Sequence, residues 1–236
     1  MEKIMTYETL RSFTYSNDKL IRGKIRGIVV EFFGLGANYM YNQDPESAIR
    51  FAKEGILHVI PYNNPWCWMN DAAVRYTDEV IAVLCEKYCL GDDVKVVATG
   101  GSMGGLSALV YTRYAAITPV ACVANCPVCD LSYHFTERPD LPRTLYSAFA
   151  HFDGTMDEAL RSCSPLHLAD GMPKIPYTIY HCEEDKAVNI DRHSVRFVEA
   201  MKKEHSVRFV RVPECGHCVL PPDVTEDFTQ AILRVF

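Results

Sequence analysis

The 236-residue sequence has no apolar run approaching the roughly 18 residues that a membrane helix needs. It has no excess of positive charge either: 24 lysines and arginines stand against 30 acidic residues, for a formal net charge of −6. Without a basic stripe to follow a phosphate backbone, nucleic acid is not an expected partner. The stretch from Met1 to Glu8 lacks the charged-then-apolar plan of a signal peptide. Together these absences predict a cytoplasmic protein with no membrane partner. No internal repeat, low-complexity tract or linker breaks the chain, which argues against a solenoid and for one domain over residues 1–236. Cysteine is plentiful, 10 in all, but the two paired knuckles of a zinc site are missing. Cys122, Cys126 and Cys129 have no partner pair, and Cys215-Gly216-His217-Cys218 holds a histidine wanted for other work. The expectation is therefore free, mostly buried thiols and no metal.

What is present is ordinary for a large core: 48% hydrophobic and 23% charged residues. Apolar β-branched runs alternate with helical periodicity, the mark of a mostly parallel sheet with helices on both faces. Expected strands are 24–33, 56–62, 94–99, 120–125, 177–182 and 207–212, with an antiparallel edge strand within 5–15. Expected helices cover about 45–53, 71–88, 103–114 and 190–203, with one more at the C-terminus. In 71–88 the residues Ala73, Tyr76, Val80, Leu84 and Tyr88 give one buried stripe, and Asn70 or Asp71 caps its start. Gly91-Asp92-Asp93 reads as the following turn. The irregular segment 127–172 reads as a short cap-like insertion over the sheet's C-terminal edge.

The strongest chemical signal is Gly100-Gly101-Ser102-Met103-Gly104, a G-x-S-x-G pentad with a strand pattern before it and a helix pattern after it. The turn between them is so tight that its neighbours cannot carry bulk. It also aims the hydroxyl at a helix N-terminus, where N–H groups favour an oxyanion. A serine hydroxyl needs a base, and the base needs a carboxylate to fix its tautomer. His217 follows the strand 207–212 in a glycine-containing loop. Asp185 follows the strand 177–182, with Glu183 and Glu184 as rivals; Asp185 is preferred because Asp185-Lys186-Ala187-Val188 leads into the next helix.

With Gly100 to Gly105, Ser164-Pro165-Leu166-His167, His181 to Val188 and Cys215-Gly216-His217 in place, the sequence resembles the α/β-hydrolase superfamily over about residues 24–236. It is most similar to the prolyl-oligopeptidase-like and small-esterase branch. The resemblance implies the α/β-hydrolase fold and the chain order Ser, Asp, His. It implies that Asp185, in a stretch like H-G-x-x-D-x-x-V, is the acid, with Cys182 standing where the family has glycine. The family's His-Gly after the first long strand is absent, and the chain reads Phe33-Gly34-Leu35-Gly36. By analogy the oxyanion donors are the backbone N–H groups of Met103 and of Leu35, with Gly34 as the alternative to Leu35.

The implied chemistry is a Ser-His-Asp acyl-enzyme mechanism on small acyl esters, with acetylated carbohydrates as one candidate substrate class and no cofactor required. A prolyl-oligopeptidase-type peptidase, a thioesterase or dienelactone-hydrolase-like enzyme, and a non-catalytic binding protein on the same fold are the alternatives. Trp66 and Trp68 lie on a loop after a parallel strand, where ligand crevices form, and are candidate substrate contacts. Exposed edge strands and aromatic loops also admit a homodimer.

Overall fold

Each apolar run becomes a strand whose alternate side chains feed two separate cores. The structure is a computed structural model and describes residues 5–91 and 93–236. Residues 1–4, and Asp92 in the expected Gly91-Asp92-Asp93 turn, lie outside the described residues. Among the described residues the strands are β1 (Thr14–Ser16), β2 (Gly27–Phe32), β3 (Ile56–Pro61), β4 (Val96–Gly101), β5 (Ala121–Asn125), β6 (Tyr177–Cys182) and β7 (Val207–Val212). They form one sheet in the order β1-β3-β2-β4-β5-β6-β7. Only the β1–β3 pair is antiparallel.

The helices are α1 (Glu46–Lys53), α2 (Asp71–Tyr88), α3 (Met103–Tyr114), α4 (Leu131–Glu137), α5 (Leu141–Ala148), α6 (Met156–Ser162), α7 (Pro165–Leu168), α8 (Arg196–Met201) and α9 (Pro222–Leu233). Along β2, Ile28, Val30 and Phe32 join the core that holds α2, α3 and α8, while Val29 points to the core that holds Phe51 of α1 and Ile232 of α9. The same alternation runs through Val96, Val97 and Ala98 and through Cys122, Val123 and Ala124. A period of two with both faces apolar is what a parallel sheet covered by helices requires. The chain thus has the α/β-hydrolase fold. On α2, Asn70 caps the first turn by accepting the N–H of Ala73 at 3.0 Å. Its buried side is Ala73, Val74, Thr77, Val80, Ile81 and Leu84, a helical stripe.

Three expectations need correction. The edge strand within 5–15 shrinks to Thr14–Ser16, because Leu10–Ser12 closes a 3-10 turn that uses up the preceding backbone. The first long strand starts at Gly27, not at residue 24, because the chain at 24–26 lies outside the paired ladder. The helix expected over 190–203 opens as one π turn at Asp191–Val195 and becomes regular only at α8. That π turn places His193 and Ser194 inward, and both are buried and hydrogen-bonded.

The segment 127–172 carries α4 to α7, whose buried Leu131, Leu141, Leu145 and Leu160 belong to the main core. It bridges the loops that follow β3 and β6. Trp68 donates from Nε1 to Thr144 Oγ1 of α5 at 3.0 Å, and Glu137 of α4 accepts the Asn189 N–H at 3.0 Å. No helix among the described residues is long and apolar enough to cross a membrane.

Candidate active site

Register brings the strand ends to one edge: Phe32 pairs with Gly100, Gly101 with Asn125, and Cys182 with Val212. The loops that follow these strands therefore share one crevice, at the carboxyl ends where open α/β sheets bind ligands. Ser102 stands between β4 and α3 with φ 58° and ψ −125°, a conformation that costs a side-chain-bearing residue of order 1–3 kcal/mol and survives only where its surroundings hold it. Those surroundings are explicit. The Ser102 N–H donates to the Asn125 carbonyl at 2.9 Å, and the Ser102 carbonyl accepts from Leu106 at 3.1 Å. A Cβ at Gly100 would stand 2.5 Å from the Gly104 carbonyl oxygen, and one at Gly104 would collide with the Phe32 carbonyl. The glycines of the pentad are thus steric necessities of the elbow.

Met103 opens α3 directly after Ser102, so its N–H stands among the unpaired donors of a helix N-terminus. The turn after β2 lies alongside: a Cβ on Gly34 would sit 4.0 Å from Ser102 Cβ. Within that turn Gly36 donates to the Pro65 carbonyl at 2.9 Å and Ala37 to the Gly34 carbonyl at 3.3 Å. Among the described residues this leaves the Gly34 and Leu35 N–H groups of the turn for a ligand.

The carboxylate that meets the histidine is Asp185. Its Oδ2 lies 2.6 Å from His217 Nδ1, and its Oδ1 accepts the N–H groups of Ala187 at 2.8 Å and Val188 at 2.9 Å. Its side chain is fully buried. Of its rivals, Glu183 turns outward to Arg211 of β7 at 2.7 Å, and Glu184 is exposed. Burial alone would push the Asp185 carboxyl up. The hydrogen bonds from His181, His217 and the two backbone groups overrule it and hold the carboxyl well below the ordinary range. Burial likewise pulls His217 down, but Asp185 first and Cys126 second lift it to about 9.

His181, which sequence reading left as a histidine at a strand end, supports this acid. Its Nε2 donates to the Val188 carbonyl at 3.0 Å and lies 3.4 Å from Asp185 Oδ2, while Nδ1 meets Ser194 Oγ at 2.7 Å. The signal was present as the first residue of His181-Cys182-Glu183-Glu184-Asp185. Also unforeseen was the ring of thiols about His217: Cys218 Sγ lies 3.7 Å from His217 Nε2, and Cys126 packs beside them.

The tryptophans part company. Trp68 is 1% exposed, hydrogen-bonded to Thr144 and edge-on to His134, so it anchors the insertion and cannot face a substrate. Trp66 does line a cavity of about 300 Å³ with Tyr62, Asn63, Asn70 and Tyr76, although the Arg143 guanidinium already covers its ring at 5.0 Å.

Solved structures share this architecture. The chain superposes on Pyrococcus horikoshii acylaminoacyl peptidase with a TM-score of 0.67 and 13% identity, over 90% of this chain and 36% of that one. It superposes on a Mycobacterium tuberculosis puromycin-hydrolyzing peptidase with a TM-score of 0.65 and 18% identity, over 83% of this chain and 31% of that one. Against esterase B from Lactobacillus rhamnosis the TM-score is 0.67 and the identity 12%, over 91% of this chain and 76% of that one. The chain spans about a third of the length of the two peptidases. No curated protein sequence matches it. The model of the prolyl oligopeptidase family matches residues 70–236, a segment that holds Ser102, Asp185 and His217 and most of the chain. The protein is a member of the prolyl oligopeptidase family, serine hydrolases of the α/β-hydrolase superfamily.

Proposed function

We propose that this protein hydrolyses small acyl esters through a covalent acyl-enzyme on Ser102. The observation that carries the proposal is the 2.6 Å contact between His217 and a buried, fully solvated-by-protein Asp185, on the same sheet edge as a serine held in a strained elbow. In this reading Ser102 Oγ attacks the ester carbonyl carbon while His217 Nε2 takes its proton. Asp185 keeps the Nδ1 proton and stabilises the imidazolium. The N–H groups of Met103 and Leu35 receive the oxyanion. His217 then protonates the departing alcohol, and water, deprotonated by the same imidazole, releases the acid and restores Ser102.

Support for an ester comes from the domain-sized match: the superposed part makes up 76% of the esterase and 91% of a lipase, at a TM-score of 0.64 for the latter. The second reading, a peptidase, draws on the family itself and on the peptidase structures. Comparing kcat/KM for p-nitrophenyl acetate, butyrate and octanoate with that for an aminoacyl-proline amide separates the two. Ester turnover with no amide cleavage is the expected result. Faster cleavage of the amide would replace the esterase reading with the peptidase one.

A further inference from the structure

The imidazole of His217 is bracketed by two thiols from distant parts of the chain. Cys126 follows β5, and Cys218 lies in the loop between β7 and α9. Cys218 Sγ is 3.7 Å from His217 Nε2, and ligand atoms of Cys126, His217 and Cys218 all lie within 4.8 Å of one another. We propose that these three residues form a site for a thiophilic divalent cation such as Zn²⁺, and that filling it silences the hydrolase by taking the lone pair of the base. The silencing half rests on the reading of His217 as base.

Two thiolates and an imidazole are the donor set that selects zinc over magnesium or calcium. With metal–sulfur bonds of about 2.3 Å and metal–nitrogen bonds of about 2.0 Å, a tetrahedral angle separates nitrogen from sulfur by about 3.5 Å. The distance between His217 Nε2 and Cys218 Sγ is close to that before any metal arrives. The histidine is also oriented as a ligand: Nδ1–H bonded to Asp185 leaves the Nε2 lone pair directed away from the carboxylate, the carboxylate–histidine arrangement typical of metal sites. Cys126 Sγ accepts the N–H groups of Cys182 and Cys218, each at 3.4 Å, while Cys218 and burial hold its thiol well above the ordinary range, so the metal itself must displace the proton.

Backbone geometry points the same way. Cys126 has φ 44° and Cys218 φ 60°, where a residue with a side chain costs about 1–2 kcal/mol. Glycine would relieve both, yet cysteine is present where each thiol meets the imidazole. Two other clusters with ligand chemistry differ. In His134, Glu137 and His193, the His193 Nδ1 already accepts the Cys129 and Asp130 N–H groups. In Cys126, His181 and Asp185, both His181 nitrogens are engaged by Ser194 and Val188. Binding at Cys126, His217 and Cys218 exchanges two S–H bonds for two sulfur–metal bonds. Two protons leave the thiols for solvent, a third leaves the imidazole wherever it starts protonated, and the metal stays divalent, so no electron moves.

The test titrates the metal-free full chain with Co²⁺ and then Zn²⁺. It follows thiolate-to-cobalt charge transfer in the near ultraviolet and, in the same samples, the rate at which a fluorophosphonate labels Ser102. One Co²⁺ per chain, a thiolate band displaced by Zn²⁺, and labelling that falls with occupancy and returns with chelator are expected. Cys126→Ser and Cys218→Ser should each weaken binding by about tenfold or more, whereas Cys215→Ser should not. Each variant is compared with its own metal-free rate. No thiolate band, or a band of unchanged affinity in both variants, overturns the site. A filled site with undiminished labelling overturns the silencing. Metal-free labelling that survives Ser102→Ala instead rejects the serine-hydrolase reading, whatever the metal does.

Discussion

Glu137 of the insertion accepts the backbone N–H of Asn189, four residues beyond Asp185, at 3.0 Å. The same carboxylate meets His134 at 2.6 Å and His193 at 3.0 Å. The insertion and the loop that holds Asp185 are thereby tied through one side chain, only 14% exposed. His181 and Ser194 make a second tie between that loop and the π turn.

Removing Glu137 leaves buried imidazole donors and the Asn189 N–H without a partner. Glu137→Ala should destabilise the fold by about 2–3 kcal/mol, read as a lower urea midpoint with an unchanged slope. Burial would raise the Glu137 carboxyl, but His134, His193 and the Asn189 N–H hold it well below its ordinary value. A depressed carboxyl stabilises fully above the unfolded value of about 4.5, and that contribution is lost as the pH falls toward the folded value. Stability should therefore decline below that pH, and less steeply in Glu137→Gln.

His217 must be neutral to act as a base. Its elevation to about 9 places the acid limb of kcat/KM above the ordinary histidine range, so activity should still be climbing between pH 7 and 9. Asp185→Asn removes the main elevating partner and leaves only Cys126 to oppose burial. The limb should then move to lower pH, while the maximal rate drops by about 10⁴. A pH–rate profile of both forms checks the direction of the shift and the loss together.

The elbow tolerates no side chain at position 104, where a Cβ meets the Phe32 carbonyl backbone. Gly104→Ala should cost about 1–3 kcal/mol through forced backbone movement. It should also lower kcat by displacing Ser102 and Met103. Thermal unfolding and steady-state kinetics on the same sample separate the two effects.

Trp68→Phe shrinks the buried indole to a phenyl ring and deletes the Nε1–H donor to Thr144. The expected cost is about 2–3 kcal/mol of stability from the void and the lost hydrogen bond, with KM unchanged. Trp66→Ala should instead change KM, because Trp66 lines the cavity beside the turn after β3. Urea denaturation and a KM series on p-nitrophenyl butyrate distinguish an anchor from a contact.

Tyr177–Cys182 and Val207–Val212 were legible to the residue, because each is a run rich in β-branched and aromatic residues that ends at a turn. The pentad was legible because its glycines answer to local sterics. The acid was harder: three adjacent carboxyl residues differ only in which way the loop turns, and Arg211, from another strand, draws Glu183 outward. Trp66 and Trp68 looked alike because composition does not record that a two-residue offset turns one ring inward beneath α5. The thiols around His217 were seen as two clusters, and nothing local to either sequence stretch brings Cys126 to Cys218. That contact exists only once β5 and the loop after β7 share a sheet edge.

The most direct test of Ser102 as nucleophile is peptide-mapped mass spectrometry after incubation with a fluorophosphonate. A single phosphonyl adduct on the Ser102 peptide of the wild type is expected, with none in folded Ser102→Ala and strongly slowed labelling in His217→Ala. Labelling that persists in Ser102→Ala, or a folded wild type that takes up no label, would contradict the acyl-enzyme reading.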